Sequence, residues 1–138
     1  MKKLTIRIPI DPVAKGRPRF TRFGGAYTPT KTKKYETAIA EYYTQASKGF
    51  TFEDTPVCVN IVFGMPIPKS APKSRREAMQ VGVIRHTKKP DLDNLAKAVL
   101  DALNEIAWKD DSQIVRLSVM KEYSSEPYVY LYIHEDVD

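Results

Sequence analysis

The 138-residue chain has one cysteine, Cys58, and only two histidines, His86 and His134. A lone thiol closes no intrachain disulfide, which fits a reducing compartment. Cys58 stands in an alternating apolar run and reads as a buried structural thiol. Donors this sparse leave no zinc cluster. One histidine falls in a basic loop and the other at a strand end, so neither supports a Ser-His-Asp or Cys-His triad, and both read as ordinary surface or strand residues. No apolar run approaches the roughly 18 residues of a membrane span. The N-terminal MKKLTIRIPIDP alternates apolar with polar residues and stops at Pro9 and Pro12, the pattern of a strand and not of a signal peptide. Internal repeats and low-complexity tracts are absent. These absences point to one cytoplasmic domain spanning residues 1–138, without a membrane partner.

Acids are scarce in the first two thirds. Residues 1–50 hold 11 Lys/Arg against 3 Asp/Glu, and residues 51–90 hold 7 against 3. Residues 91–138 reverse this, with 4 Lys/Arg against 11 Asp/Glu. A polyanion partner with an acidic, metal-dependent site would use both halves. A solvated surface with an acidic tail is the plainer reading of the same charges.

Leu4, Ile6, Ile8 and Ile10 alternate with Thr5, Arg7 and Pro9, which predicts a first strand. KGRPRF follows, carrying Lys15, Arg17 and Arg19, and Pro12 and Pro18 keep this segment extended. Gly24-Gly25 lies between two short runs in 19–28 and predicts a hairpin bearing Arg22. A helix is expected from about Thr30 to Lys48-Gly49, with Tyr35, Ala38, Ile39, Tyr42, Tyr43 and Ala46 at helical spacing. Lys31, Lys33 and Lys34 crowd its first turn, where cations oppose the helix dipole at about 0.3–1 kcal/mol each. A nearby phosphate would offset that cost. Val57 to Phe63 reads as an inner strand. Residues 64–90 form a long loop, with one or two helical turns at 74–80, and loops this long are usually functional or mobile. This loop is basic: Lys69, Lys73, Arg75, Arg76, Arg85, Lys88 and Lys89.

The acids gather in KPDLDNLAKAVLDALNEIAWKDDSQIV, residues 89–115. Leu92, Leu95, Val99, Leu103 and Ile106 define one apolar helix face. Asp93, Lys97 and Asp101 are spaced i, i+4, i+8, so Lys97 can reach either acid. Val115, Leu117 and Val119 then mark a strand, Ser124 to Pro127 a turn, and Val129, Leu131 and Ile133 a last strand. The order predicts an α+β fold, a mixed β-sheet with helices packed largely on one face.

Residues two apart on a helix point about 200° from each other, so Asp91 and Asp93 converge only if Asp91 lies outside the helix. Pro90 favours that, and Asp91 suits an N-cap. Asp110 and Asp111 follow the helix at its negative end, where acids are disfavoured. Either they occupy an exposed loop, or the chain turns back and returns an aspartate to the first pair. A helix of about 14 residues is about 21 Å long, so the two acidic ends cannot meet through the helix itself. Three converging carboxylates would not all stay ionised unaided, and a hard divalent cation would resolve that. An EF-hand is excluded, because Leu95, Ala96 and Ala102 occupy the positions that need an acid, glycine and glutamate.

PDLDNLAKAVLDALN followed by WKDDSQIV resembles the RusA family of Holliday-junction resolvases of bacteria and their phages, most strongly over residues 89–121. The opening strand and KGRPRF are similar to the N-terminal region of its phage and Gram-positive branch. The resemblance implies a homodimer that binds four-way junction DNA. It also implies cutting of two opposed strands by Mg²⁺-dependent hydrolysis, with Mn²⁺ able to substitute and no small-molecule cofactor. The family's essential acids fall on Asp91, Asp93 and Asp111, the expected metal ligands and catalytic acids, and its active-site lysine on Lys97. Asp110 is then a neighbour of the site. Lys15, Arg17, Arg19, Arg22, Lys31, Lys33, Lys34 and the basic-loop cations would bind DNA phosphates. A nuclease for flaps or single strands, and a non-catalytic DNA-binding module, are the alternatives.

Overall fold

A computed structural model describes residues 2–16, 19–27 and 29–136. The strands are β1 (Lys3–Ile8), β2 (Arg19–Phe20), β3 (Ala26–Tyr27), β4 (Val57–Pro66), β5 (Ile114–Ser124) and β6 (Tyr128–Glu135). The helices are α1 (Thr30–Ser47), α2 (Lys73–Gln80) and α3 (Leu92–Leu103).

Four strands form one mixed sheet in the order β1-β6-β4-β5. The pairs β1/β6 and β4/β6 are antiparallel, and β4/β5 is parallel. The α+β expectation holds. The parallel pair requires a crossover, and the segment containing α2 and α3 supplies it. The expected turn after Ser124 forms, but the strands it joins are not neighbours, because β4 lies between them. The turn therefore passes over the end of β4, where Gly64 leaves room for the Tyr128 ring and a Cβ would collide with it.

Alternation decides which face is buried. Leu4, Ile6 and Ile8 of β1, Val57, Val59, Ile61 and Phe63 of β4, and Val129, Leu131 and Ile133 of β6 share one core with the helices. On α3, Leu95, Ala96, Ala98, Val99, Ala102 and Leu103 are buried. Tyr35, Ile39 and Tyr43 anchor α1, flanked by buried Thr32 and Ser47. Tyr42 and Ala46, expected on this face, are exposed instead. The α1 stripe is narrower than its apolar content implies, because the helix meets α3 and β1 along one line. α3 ends at Leu103, short of Ile106, with Glu105 in the left-handed region at φ 67°. Trp108, fully buried, then closes the bottom of the core.

The strand expected at Val115, Leu117 and Val119 forms as β5. It is an edge strand, and Val115, Leu117 and Met120 are exposed. Cys58 is buried, as expected. No helix among the described residues is long and apolar enough to cross a membrane.

Candidate active site

The first acidic pair opens α3. Asp91 is the N-cap, in extended conformation at φ −69° and ψ 145°, and its carbonyl accepts the Leu95 N–H at 3.1 Å. Its side chain makes no capping hydrogen bond among the described residues. Asp93 lies in the first turn, and among the described residues its Oδ1 accepts only the neighbouring Asn94 N–H, at 2.9 Å. Both side chains are exposed, and neither is held in a salt bridge among the described residues. The positive end of the helix stabilises both anions. Two carboxylates left uncommitted this way are available to an external cation.

The lysines around them have different fates. Lys97, one turn further along, is exposed and lies 3.6 Å from Asp101, so of the two acids within its reach it pairs with the second. Lys15 bridges Glu36 of α1 at 3.1 Å and Asp101 of α3 at 3.0 Å. Burial acts to lower the Lys15 pKa, but its hydrogen bonds to Asp101 and Glu36 outweigh it and raise the pKa above the ordinary lysine value. Its ammonium is thus committed inside the fold. Its backbone N–H donates to the Asn94 carbonyl at 3.0 Å, tying the N-terminal segment to the first turn of α3. Lys121 of β5 donates to the Lys88 and Pro90 carbonyls at 2.8 and 2.9 Å and pins the approach to Asp91, across a cis Lys89–Pro90 peptide.

Sequence reasoning gave Lys121 no role, since its partners are main-chain carbonyls more than thirty residues away. His86 packs on the Tyr123 ring beside it, at 4.9 Å between centroids. Burial, with Lys121 and Lys88 nearby, lowers the His86 pKa and favours the neutral ring.

The second acidic pair lies at the opposite end. Asp111 opens a 3₁₀ turn (Asp111–Gln113) that leads into β5. The Trp108 indole N–H donates to Asp111 Oδ1 at 2.6 Å, and the Asp111 N–H donates to Asn104 Oδ1 at 3.1 Å. Gln113 clamps the turn: its Oε1 accepts the N–H groups of Lys109 and Asp110 at 2.7 and 3.1 Å. Its Nε2 donates to the Phe52 and Thr55 carbonyls, both at 3.1 Å. Asp110 accepts the Ser112 hydroxyl at 2.7 Å and belongs to the turn. Trp108, Asn104 and Gln113 therefore orient Asp111. Their only trace in sequence is a lone tryptophan and two amides around the acid pair.

β5 does run back along α3, but it carries Lys121 to the first pair and leaves Asp111 behind. α3 has 12 residues, which makes it about 18 Å long. The strand from Ile114 to Lys121 spans a further roughly 23 Å by its rise. Both measures keep Asp111 away from Asp91 and Asp93 of the same chain. Among the described residues, no three Asp, Glu, His or Cys side chains form a metal-holding group.

The remaining cations lie at the surface. Arg22, Lys31, Lys33, Lys34, Lys69, Lys73, Arg75, Arg76, Arg85, Lys88 and Lys89 are all exposed. Lys88 and Lys89 lead directly into Asp91. Arg17 and the Arg19 side chain lie outside the described residues.

The family model for endodeoxyribonuclease RusA matches residues 9–134. The chain belongs to the RusA family. It is also 40% identical over 130 residues to an uncharacterized protein of Bacillus subtilis (strain 168), YqaN, covering 91% of each chain. RusA membership makes the chain a nuclease that hydrolyses DNA, and the exposed acids at the head of α3, preceded by exposed Lys88 and Lys89, suit that chemistry.

Proposed function

We propose that this RusA-family chain is a divalent-cation-dependent endonuclease that resolves four-way DNA junctions as a homodimer, by paired nicks in two opposed strands. The observation that carries this reading is the uncommitted pair Asp91 and Asp93, exposed at the positive end of α3. Mg²⁺, or Mn²⁺ in its place, would be held by these two carboxylates together with Asp111. When bound, the ion supplies charge neutralisation at the scissile phosphate and activates the attacking water. Lys97 shares the face of Asp93 and stabilises charge on the phosphoryl group in the transition state. Lys15 positions it by holding Asp101. Arg17, Arg19, Arg22, Lys31, Lys33, Lys34 and the basic loop bind phosphates, which adds affinity and salt dependence with little base reading.

Because one chain keeps Asp111 at the far end of α3, a second copy provides it. β5 is an edge strand with an apolar, exposed rim, the kind of edge that recruits another strand. Antiparallel pairing of two β5 edges about a two-fold axis sets the Asp111 end of each chain beside the Lys121 end of the other, next to Asp91 and Asp93. Two sites related by a two-fold axis also match a two-fold junction and two opposed cuts.

The experiment incubates a synthetic four-way junction with the protein, with and without Mg²⁺, and maps the nicks beside flap and duplex controls. Paired nicks near the branch, in Mg²⁺ only, are the expected result. Equal cutting of junction, flap and duplex would sink the junction reading, and full activity in EDTA would sink the metal assignment.

A further inference from the structure

The cations and acids account for most of the charged surface, but not for the β2–β3 hairpin. Phe23 is 94% exposed at its tip and Phe20 is 74% exposed on its flank. A single exposed apolar residue needs no explanation, but two phenylalanine rings on one small hairpin that also carries Arg22 suit an interaction site. The turn that displays them is well built. Thr21 N–H donates to the Gly25 carbonyl at 2.6 Å, and Gly24 N–H donates to the Thr21 carbonyl at 3.1 Å. Gly25 N–H donates to Thr21 Oγ1 at 3.0 Å. Gly24 takes φ 88°, open to glycine and strained for other residues. Phe23 is thus held outward by a hydrogen-bonded turn, with exposed Arg22 at its side.

The segment that leads into the hairpin is tied beside the acidic pair. Lys15 N–H binds the Asn94 carbonyl beside Asp93, and Gly16 N–H donates to Thr32 Oγ1 at 3.1 Å. Phe23 is seven positions beyond Gly16, a reach of at most about 25 Å. That is less than one turn of duplex DNA, about 34 Å. Measured from that tether next to Asp93, the tip works within one helical turn along the DNA.

We infer that the β2–β3 hairpin is a base-stacking wedge, with Phe23 seated against the base pair left uncovered where a branched DNA interrupts the stack. The inference rests on the nuclease reading above and deepens it, by naming what distinguishes branched from continuous DNA. Aromatic rings stack on any base with little sequence preference. In continuous duplex an apolar wedge must first unstack a base step. At a branch point that step is already open, so the contact costs less there. Arg22, Lys31 and Lys33 meet phosphates in either substrate and cannot discriminate. The hairpin can.

The test measures binding in EDTA, by fluorescence anisotropy, to a labelled four-way junction and to a labelled duplex of equal arm length. Phe23→Ala is expected to weaken junction binding about tenfold and leave duplex binding unchanged. Phe23→Trp is expected to keep junction affinity and to show tryptophan quenching on junction but not on duplex. Equal loss on both DNAs, no loss on either, or a change in sedimentation mass for Phe23→Ala would overturn the wedge. The last result would place the ring against a second copy instead. A wild-type protein that binds junction and duplex equally would remove both the wedge and the junction reading. A junction preference retained by Phe23→Ala removes the wedge alone.

Discussion

The two ends of α3 carry acids of the same kind in opposite states. At the N-terminal end Asp91 and Asp93 are exposed, supported by the helix dipole, and committed to almost nothing. At the C-terminal end Asp111 is half-buried and fixed by Trp108 and Asn104, inside a turn clamped by Gln113. One end is electrostatically ready, and the other is geometrically fixed. A metal site needs both qualities, and a single chain keeps them about 18 Å apart.

The largest effect expected from breaking this contrast is at the open end. Asp93→Asn should lower junction cutting in Mg²⁺ by about a thousandfold or more, the loss of several kcal/mol of charge stabilisation. Junction binding and Tm should stay near wild type, since the side chain supports no tertiary contact. Gel-based nicking, anisotropy and a thermal melt measure the three. The fixed end should behave the other way. Gln113→Ala removes four hydrogen bonds, two of them from backbone amides, and should cost roughly 2–3 kcal/mol of stability by denaturant unfolding. Any loss of cutting should then follow the loosened turn. If Gln113→Ala left stability unchanged, the clamp would be an incorrect account of the D-D-x-Q element.

The smallest effect concerns the approach to the open end. The folded-state pKa of His86 is lowered by burial first and then by Lys121 and Lys88. The unfolded chain therefore binds a proton that the folded chain resists. The associated stability is fully present above the ordinary histidine pKa of about 6.5 and is lost as pH falls below it toward the folded value. Wild-type Tm should decline slightly from pH 7 to 5.5, and His86→Gln should flatten that decline. A wild-type Tm that rose with acidification, relative to His86→Gln, would contradict the sign.

Much of this was legible in the residues. The alternation in β1 and β6, the apolar stripe of α3, the short helix within the basic loop and the cap at Asp91 follow from local periodicity and from Pro90. What was not legible depends on contacts between distant segments. β4 inserts between β5 and β6 because a parallel crossover precedes them, and no turn signal at Ser124–Pro127 records that. Lys15 carries the same charge as its neighbours in KGRPRF, yet Glu36 and Asp101 take it inside. Val115 and Leu117 alternate like a buried face but lie on an edge. The resemblance alone groups Asp111 with Asp91 and Asp93, while the fold of one chain separates them.

If each site is shared between two copies, two inactive chains should complement each other when mixed. Asp91→Asn and Asp111→Asn proteins, each alone, are expected not to cut a four-way junction in Mg²⁺. Asn at 111 can still accept the Trp108 N–H, so folding is retained. In a heterodimer of the two, one site combines wild-type Asp91 and Asp93 from one chain with wild-type Asp111 from the other. The account predicts that the co-refolded mixture regains cutting, as single nicks and not paired ones. A mixture that stays inactive, although native mass measurement shows the heterodimer has formed, would contradict it.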